Sequence, residues 1–168
     1  QALWDIKEIE PTSEAHHPNG KLRGTKWTVW EGGVRTPFVA HWPNHFPAGA
    51  VGEDLFALTD VLATLAAVVD YKLPDDTAQD NYLLSVLQGD AAGERQTLVV
   101  KASNNTFGLR WKNWKYIQGK ENKAAQLYTL STDESETQSV LIEHPQVAEE
   151  IDQKLVELLN SDRTVPQR

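Results

Sequence analysis

The sequence predicts an α/β fold in two parts. Three observations carry that expectation. An apolar run at 37–42 reads as a buried strand and leads through a loop into an amphipathic helix. Several short β-type runs, separated by turn residues, follow between 97 and 130. The last long segment repeats apolar residues at helical spacing. The division falls near Arg95, giving parts 1–94 and 95–168, the second being a small antiparallel sheet with a C-terminal helix.

In the first part, residues 1–25 read as loop, because Pro11, Pro18, Asn19, Gly20 and Gly24 interrupt any period. Trp27 to Trp30 read as a short extended piece. Glu31-Gly32-Gly33 reads as a turn whose glycines supply permissive backbone angles. Phe38, Val39 and Ala40 are consecutive apolar residues, as in a strand buried on both faces. A Pro- and Gly-broken loop follows. The helix is expected over 58–70, capped by Thr59 or Asp60. Val61, Leu62, Leu65, Val68 and Val69 make its buried face. From 73 to 93 a connection holds a short helix near 82–87.

In the second part, a strand is expected at 97–102. The runs FGLRW and WKYIQ flank Lys112-Asn113 as a hairpin, and a fourth strand covers 126–130. The final helix spans 144–160. Pro145 suits its first turn, Glu149 and Glu150 lie toward the positive end of its dipole, and Val147, Ile151, Leu155 and Leu158 form its buried stripe.

Composition narrows the function. The net charge of −8 argues against general nucleic-acid binding. The absence of cysteine excludes a disulfide framework, a thiolate metal site and a cysteine nucleophile within these residues. No apolar run approaches the ~20 residues that span a bilayer. Six tryptophans suit either carbohydrate-facing surfaces or large core aromatics. The chain opens on Gln1, has no methionine, and begins with neither signal-peptide character nor a clear element start. The expectation is therefore a piece of a longer protein.

Several residues bear on chemistry. Lys26 follows Gly24-Thr25 and precedes a Gly-Gly turn, a setting in which backbone can approach a bound group closely. Its ammonium suits a sulfate or phosphate oxygen, and equally a solvated surface. Arg23 and Arg35 are expected to be structural, pairing with Glu31. His16 and His17 precede Pro18-Asn19-Gly20 and suit a sulfate, a sugar hydroxyl or proton transfer, or plain exposure in a loop. His41 and His45 are four apart, but Pro43 between them excludes the helix a metal pair needs. Between Lys101 and Lys123 six cations alternate with aromatics. That pattern fits a polyanion-binding hairpin, or a hairpin with one apolar and one solvated face. No phosphate-binding glycine loop, nucleophile elbow or dense carboxylate cluster is present.

Taken together, LRGTKWTVWEGGVRTPFVAHWP resembles the signature region of the type I sulfatases, the arylsulfatase family of the alkaline-phosphatase-like superfamily. The resemblance rests on Leu22, Arg23, Gly24, Lys26, Glu31, Gly32, Gly33, Val34, Arg35, Pro37, Trp42 and Pro43. It continues through LTDVLATLAAVVDYKLPDD and LYTLSTDESETQSV, and so covers nearly the whole chain as the C-terminal part of a sulfatase. It implies that 1–94 carries a remnant of the large alkaline-phosphatase-like sheet. It also implies hydrolysis of sulfate esters, in a sulfated glycan or a sulfated small molecule such as an aryl sulfate, through a formylglycine nucleophile and a divalent cation, usually calcium.

By the same resemblance Lys26 binds a sulfate oxygen, and His16 and His17 line the substrate side. A formylglycine-generating enzyme and a periplasmic or secreted location follow as family expectations. Thr25 and Trp27 depart from the family pattern, which favours small residues there. No C/S-x-P-x-R motif occurs in the chain, and no metal ligands are assigned to it. These residues alone are expected to show no sulfatase activity and to bind no calcium. Two other readings stand beside this one. One is a non-catalytic module binding sulfated glycans through the Lys101 to Lys123 hairpin, with dependence on Lys112 and Lys115 as its test. The other is a phosphoester hydrolase of the same superfamily.

Overall fold

The computed structural model describes residues 18–74, 82–90, 95–120 and 122–161. Its centre is an antiparallel meander of four short strands: β1 (Thr97–Lys101), β2 (Phe107–Trp111), β3 (Trp114–Ile117) and β4 (Gln126–Thr129), adjacent in chain order. The β2–β3 turn is Lys112-Asn113, with Lys112 in the left-handed region at φ 54°. The hairpin lies where the sequence predicts it.

Register decides what each face carries. Val99 pairs with Leu109, Leu109 with Tyr116, and Tyr116 with Leu127. Side chains alternate along a strand, so these four share one face. The C-terminal helix (Pro145–Asn160) covers it, with Ala148, Ile151 and Leu155 buried against Leu109, Tyr116 and Leu127. The Tyr116 hydroxyl donates to Asp152 on that helix at 2.9 Å. Burial and the adjacent carboxylate push the Tyr116 phenol far above its ordinary value, so it stays a donor at neutral pH.

The other face carries Arg110, Lys115 and Tyr128, which the register sets side by side. It is not solvated. Val29, Ala102, Ile117, Tyr128 and Leu130 form a second core there, with Trp30 and Val100 packed against it. The segment around Val29 thus roofs a sheet far downstream in sequence.

The first part differs from expectation in three places. Residues 37–42 form no strand, and Val39 is 91% exposed. A strand buried on both faces needs ladder partners and covering layers, and the described residues supply neither. Phe38 instead meets Phe56 edge-on, with centroids 5.0 Å apart. The second difference is which face of the predicted helix is buried. It forms as Asp60–Val68, yet buries Asp60, Ala63, Thr64 and Ala66, while Leu62, Leu65 and Val69 are exposed. An ion pair explains the choice. Asp60 Oδ1 and Oδ2 accept from Arg95 Nη2 and Nη1 at 2.8 and 2.9 Å, and this buried bidentate contact fixes which side faces the protein. This helix packs against a shorter one, Tyr82–Gln88, near its expected place. The third difference lies in the lysine loop.

Candidate active-site loop

Residues 22–35 wrap around a single helical turn, Glu31–Val34, instead of running extended into a loose turn. The Thr28 N–H and hydroxyl both donate to the Thr25 carbonyl, at 3.1 and 2.7 Å, closing a turn over 25–28. The Gly32 N–H donates to the Arg23 carbonyl at 2.7 Å. Gly32 and Gly33 are not at positive φ, so backbone freedom does not explain them. Close approach does. A Cβ on Gly32 would lie 2.6 Å from the Arg23 and Gly24 carbonyl oxygens, and one on Gly33 2.5 Å from that of Thr25. Only hydrogen at these positions lets the loop close onto the helical turn.

Charge holds the turn in place. Glu31 is buried at 2% exposure and accepts from Lys115 Nζ at 2.8 Å and Arg110 Nη1 at 3.2 Å, both from the sheet. Arg35 Nε stands 3.8 Å from the same carboxylate and its Nη1 bonds Glu134, which also pairs with Lys21 at 2.6 Å. These two cations hold the Glu134 carboxyl below its usual range. Arg23 donates to the Tyr128 hydroxyl at 3.1 Å and the Glu136 carbonyl at 2.9 Å, with its guanidinium 4.2 Å over the Trp30 ring. Arg23 and Arg35 are structural, as expected, although only Arg35 meets Glu31.

Glu136 completes the brace. Its Oε2 accepts the Glu31 N–H at 2.6 Å, while Oε1 is buried with no partner among the described residues. Burial pushes its carboxyl above the ordinary value, partly offset by that hydrogen bond and by Lys115. A raised folded value means ionisation opposes folding. The group's contribution is fully present below its unfolded value, about 4.3, and is lost as pH rises through the folded one. Glu136→Gln keeps an acceptor for the Glu31 N–H and removes that loss. The variant's urea midpoint is therefore expected to rise relative to the parent's between pH 4 and 8. A difference that stays flat across that range would contradict this account.

Lys26 is placed differently from its neighbours. It is exposed, and its Nζ lies 4.7 Å from the Trp27 ring centroid. Of the four cations between residues 20 and 43, it alone lacks a hydrogen-bond or ion-pair partner among the described residues. His16 and His17 lie outside the described residues. His45 stacks on Trp42 with centroids 3.8 Å apart. Among the described residues no three His, Cys, Asp or Glu side chains gather in a way that would hold a metal ion. The donors described here do not fit the calcium that the resemblance implies.

One sequence-based assignment is overturned. Lys115, a candidate glycan-binding cation, is fully buried against Glu31 and unreachable by a polysaccharide. Its hairpin partner Lys112 is exposed, 5.0 Å over the Trp111 ring. Sequence reasoning missed Lys115 and Glu136 as anchors of the loop. Alternation along β3 puts Lys115 on the Tyr128 face but says nothing of what covers that face. A cavity of about 120 Å³ lies beside Glu31, Arg35, Arg110 and Glu134. Its two arginines are each paired with one of its two carboxylates, Arg110 with Glu31 and Arg35 with Glu134.

Over residues 25–164 the chain matches the family described as "N-sulphoglucosamine sulphohydrolase, C-terminal". It is 35% identical over 164 residues to the N-acetylgalactosamine-6-O-sulfatase of Bacteroides thetaiotaomicron, covering 89% of this chain and 31% of that protein. Human arylsulfatase A is 41% identical over 80 residues, 48% of this chain and 16% of the relative. A solved structure from work on glycosaminoglycan metabolism by Bacteroides thetaiotaomicron superimposes with a TM-score of 0.77 at 31% identity, over 86% of this chain and 33% of that one. The chain thus spans at most about a third of the length of these relatives.

Proposed function

Since the chain belongs to the N-sulphoglucosamine sulphohydrolase C-terminal family, and so to the sulfatases, we propose that it supplies the sulfate-binding lysine of an enzyme that hydrolyses sulfate esters. The observation that carries the reading is the contrast within one loop. Lys21, Arg23 and Arg35 are tied to carboxylates, a hydroxyl or carbonyls, while the Lys26 ammonium is left open to solvent on a loop that is itself braced.

Cleaving a sulfate ester builds negative charge on the bridging oxygen and keeps it on the sulfate. A fixed ammonium stabilises both. Lys26 requires no rearrangement of the brace to meet an anion. The formylglycine and divalent cation of the sulfatase reading belong to residues other than those described, and their chemistry is to generate the attack on sulfur. His16 and His17 are assigned to the substrate side. On this reading residues 1–94 bring the lysine loop to the catalytic domain, and 95–168 form the small subdomain that braces it. A sulfated saccharide is the favoured substrate class, supported by the name of the relative aligned over 89% of the chain. Burial of Lys115 weighs against the glycan-binding hairpin as the main function.

Lys26→Ala, made in the protein as its gene encodes it, tests the reading. We expect kcat/KM for a sulfate ester to fall by about 10²–10³, as for loss of one preorganised oxyanion donor. The urea midpoint should not change, because the side chain is exposed. Lys26→Arg should recover part of the rate. An alanine variant with parental kcat/KM would end the assignment.

A further inference from the structure

We propose that Trp27 is a sugar-binding wall, stacking on the pyranose ring of a sulfated saccharide while Lys26 holds its sulfate. This rests on the sulfate-binding role proposed for Lys26. Three observations lead to it.

First, Trp27 sits at φ 77°. The left-handed region suits glycine or asparagine, and a bulky residue there is strained. The surroundings enforce it. The Trp27 carbonyl accepts the Ser103 N–H at 3.1 Å, and the 25–28 turn closes around it. Glycine would meet the backbone requirement without strain, so the indole needs another reason to be there.

Second, that reason is not the core. The side chain is 51% exposed, whereas Trp30, three residues on, packs against the second core and donates from Nε1 to Gln126 at 3.4 Å. A half-open indole on a rigid turn presents a large flat apolar face at low entropic cost.

Third, the Lys26 ammonium already lies over the Trp27 ring, 4.7 Å from its centroid. The negative ring face holds the cation. A sulfate oxygen at hydrogen-bond distance from Nζ, about 2.8 Å, brings the sugar bearing it against the indole face beside the ammonium. The ammonium takes the charged group and the ring takes the apolar face of the sugar. A small anion without a sugar gains only the first contact.

The test compares two probes by titration calorimetry on the protein as its gene encodes it: inorganic sulfate and a panel of 6-O-sulfated hexosamine monosaccharides. Trp27→Gly suits the backbone angle and removes the ring; Trp27→Phe keeps an aromatic face. We expect Trp27→Gly to weaken the best sugar sulfate roughly tenfold, to leave inorganic sulfate within a factor of two, and to leave the melting temperature at or above the parent's. Trp27→Phe should restore most of the loss. Equal weakening of both probes would mean that Trp27 only positions Lys26, and would overturn the proposal. So would an unchanged sugar affinity, or a parent protein that binds no sugar sulfate more tightly than inorganic sulfate. Lys26→Ala separates the two ideas. If it leaves both probes unaffected, the Lys26 reading fails, and Trp27 is judged on the sugar probes alone.

Discussion

Replacing Lys115 by methionine is expected to destabilise the protein by about 3–5 kcal/mol, the usual consequence of removing one partner from a buried ion pair. The cost comes from what remains. Methionine matches the aliphatic reach of lysine and fills the space. It also leaves the buried Glu31 carboxylate with only Arg110 at 3.2 Å and the more distant Arg35 at 3.8 Å. Lys115 and Glu31 are 0% and 3% exposed at the side chain, so water replaces nothing. The double variant Lys115→Met/Glu31→Gln should be less destabilised than the sum of the two single variants, because neither charge is then stranded. Urea unfolding at neutral pH measures both. A single variant losing under 1 kcal/mol would show that the pair is not desolvated as described. On the reading proposed for Lys26, the same substitution should also lower sulfate-ester turnover, because Glu31 anchors the turn whose Gly32 N–H holds the lysine loop.

This brace explains how the motif reads. The glycines sit against carbonyl oxygens, the glutamate pairs with the sheet, Arg35 ties off Glu134, and Arg23 bonds the Tyr128 hydroxyl and the Glu136 carbonyl. Lys26 has no hydrogen-bond or ion-pair partner among the described residues because the surrounding charges are engaged elsewhere.

Legibility in the sequence follows the range of the interactions. The final helix was legible because a 3.6-residue stripe records its own buried face, and Ile151 and Leu155 are fully buried as the stripe requires. The β2–β3 hairpin was legible because its turn is local. Residues 37–42 and the face of the 60–68 helix were not. A run such as Phe38-Val39-Ala40 says that cover is wanted without saying which element supplies it. Leu62 and Leu65 carry the larger apolar surface, but Asp60 decides the orientation through Arg95, a partner no periodicity reveals. In the site, Lys26 was legible only through its glycines and the family resemblance. Lys115 was misread because an alternating charge on a strand looks solvated until the loop that covers it is known.

The Asp60–Arg95 pair should be the second point of large sensitivity, and it tests how the two parts of the chain are joined. Arg95 lies two residues before β1, and Asp60 opens the helix on the far side of the connection. Both side chains are under 5% exposed, and Asp60 Oδ2 also accepts the Ala57 N–H at 2.8 Å, holding the first turn of that helix. Arg95→Met leaves the carboxylate buried with a single backbone donor among the described residues, and about 3–5 kcal/mol should be lost. Asp60→Asn keeps an acceptor for Ala57 and for one guanidinium nitrogen, so its loss should be smaller. A double-mutant cycle over the two is expected to give a coupling energy of at least 1 kcal/mol, within the range for contacting residues. The location of the damage is the sharper readout. Hydrogen exchange should accelerate first in residues 60–68, while the sheet and final helix, which keep their own core, hold their protection. Uniform acceleration through Leu109, Leu127 and Ile151 would mean instead that the pair supports the sheet, and that the helix of residues 60–68 is part of one cooperative unit with it.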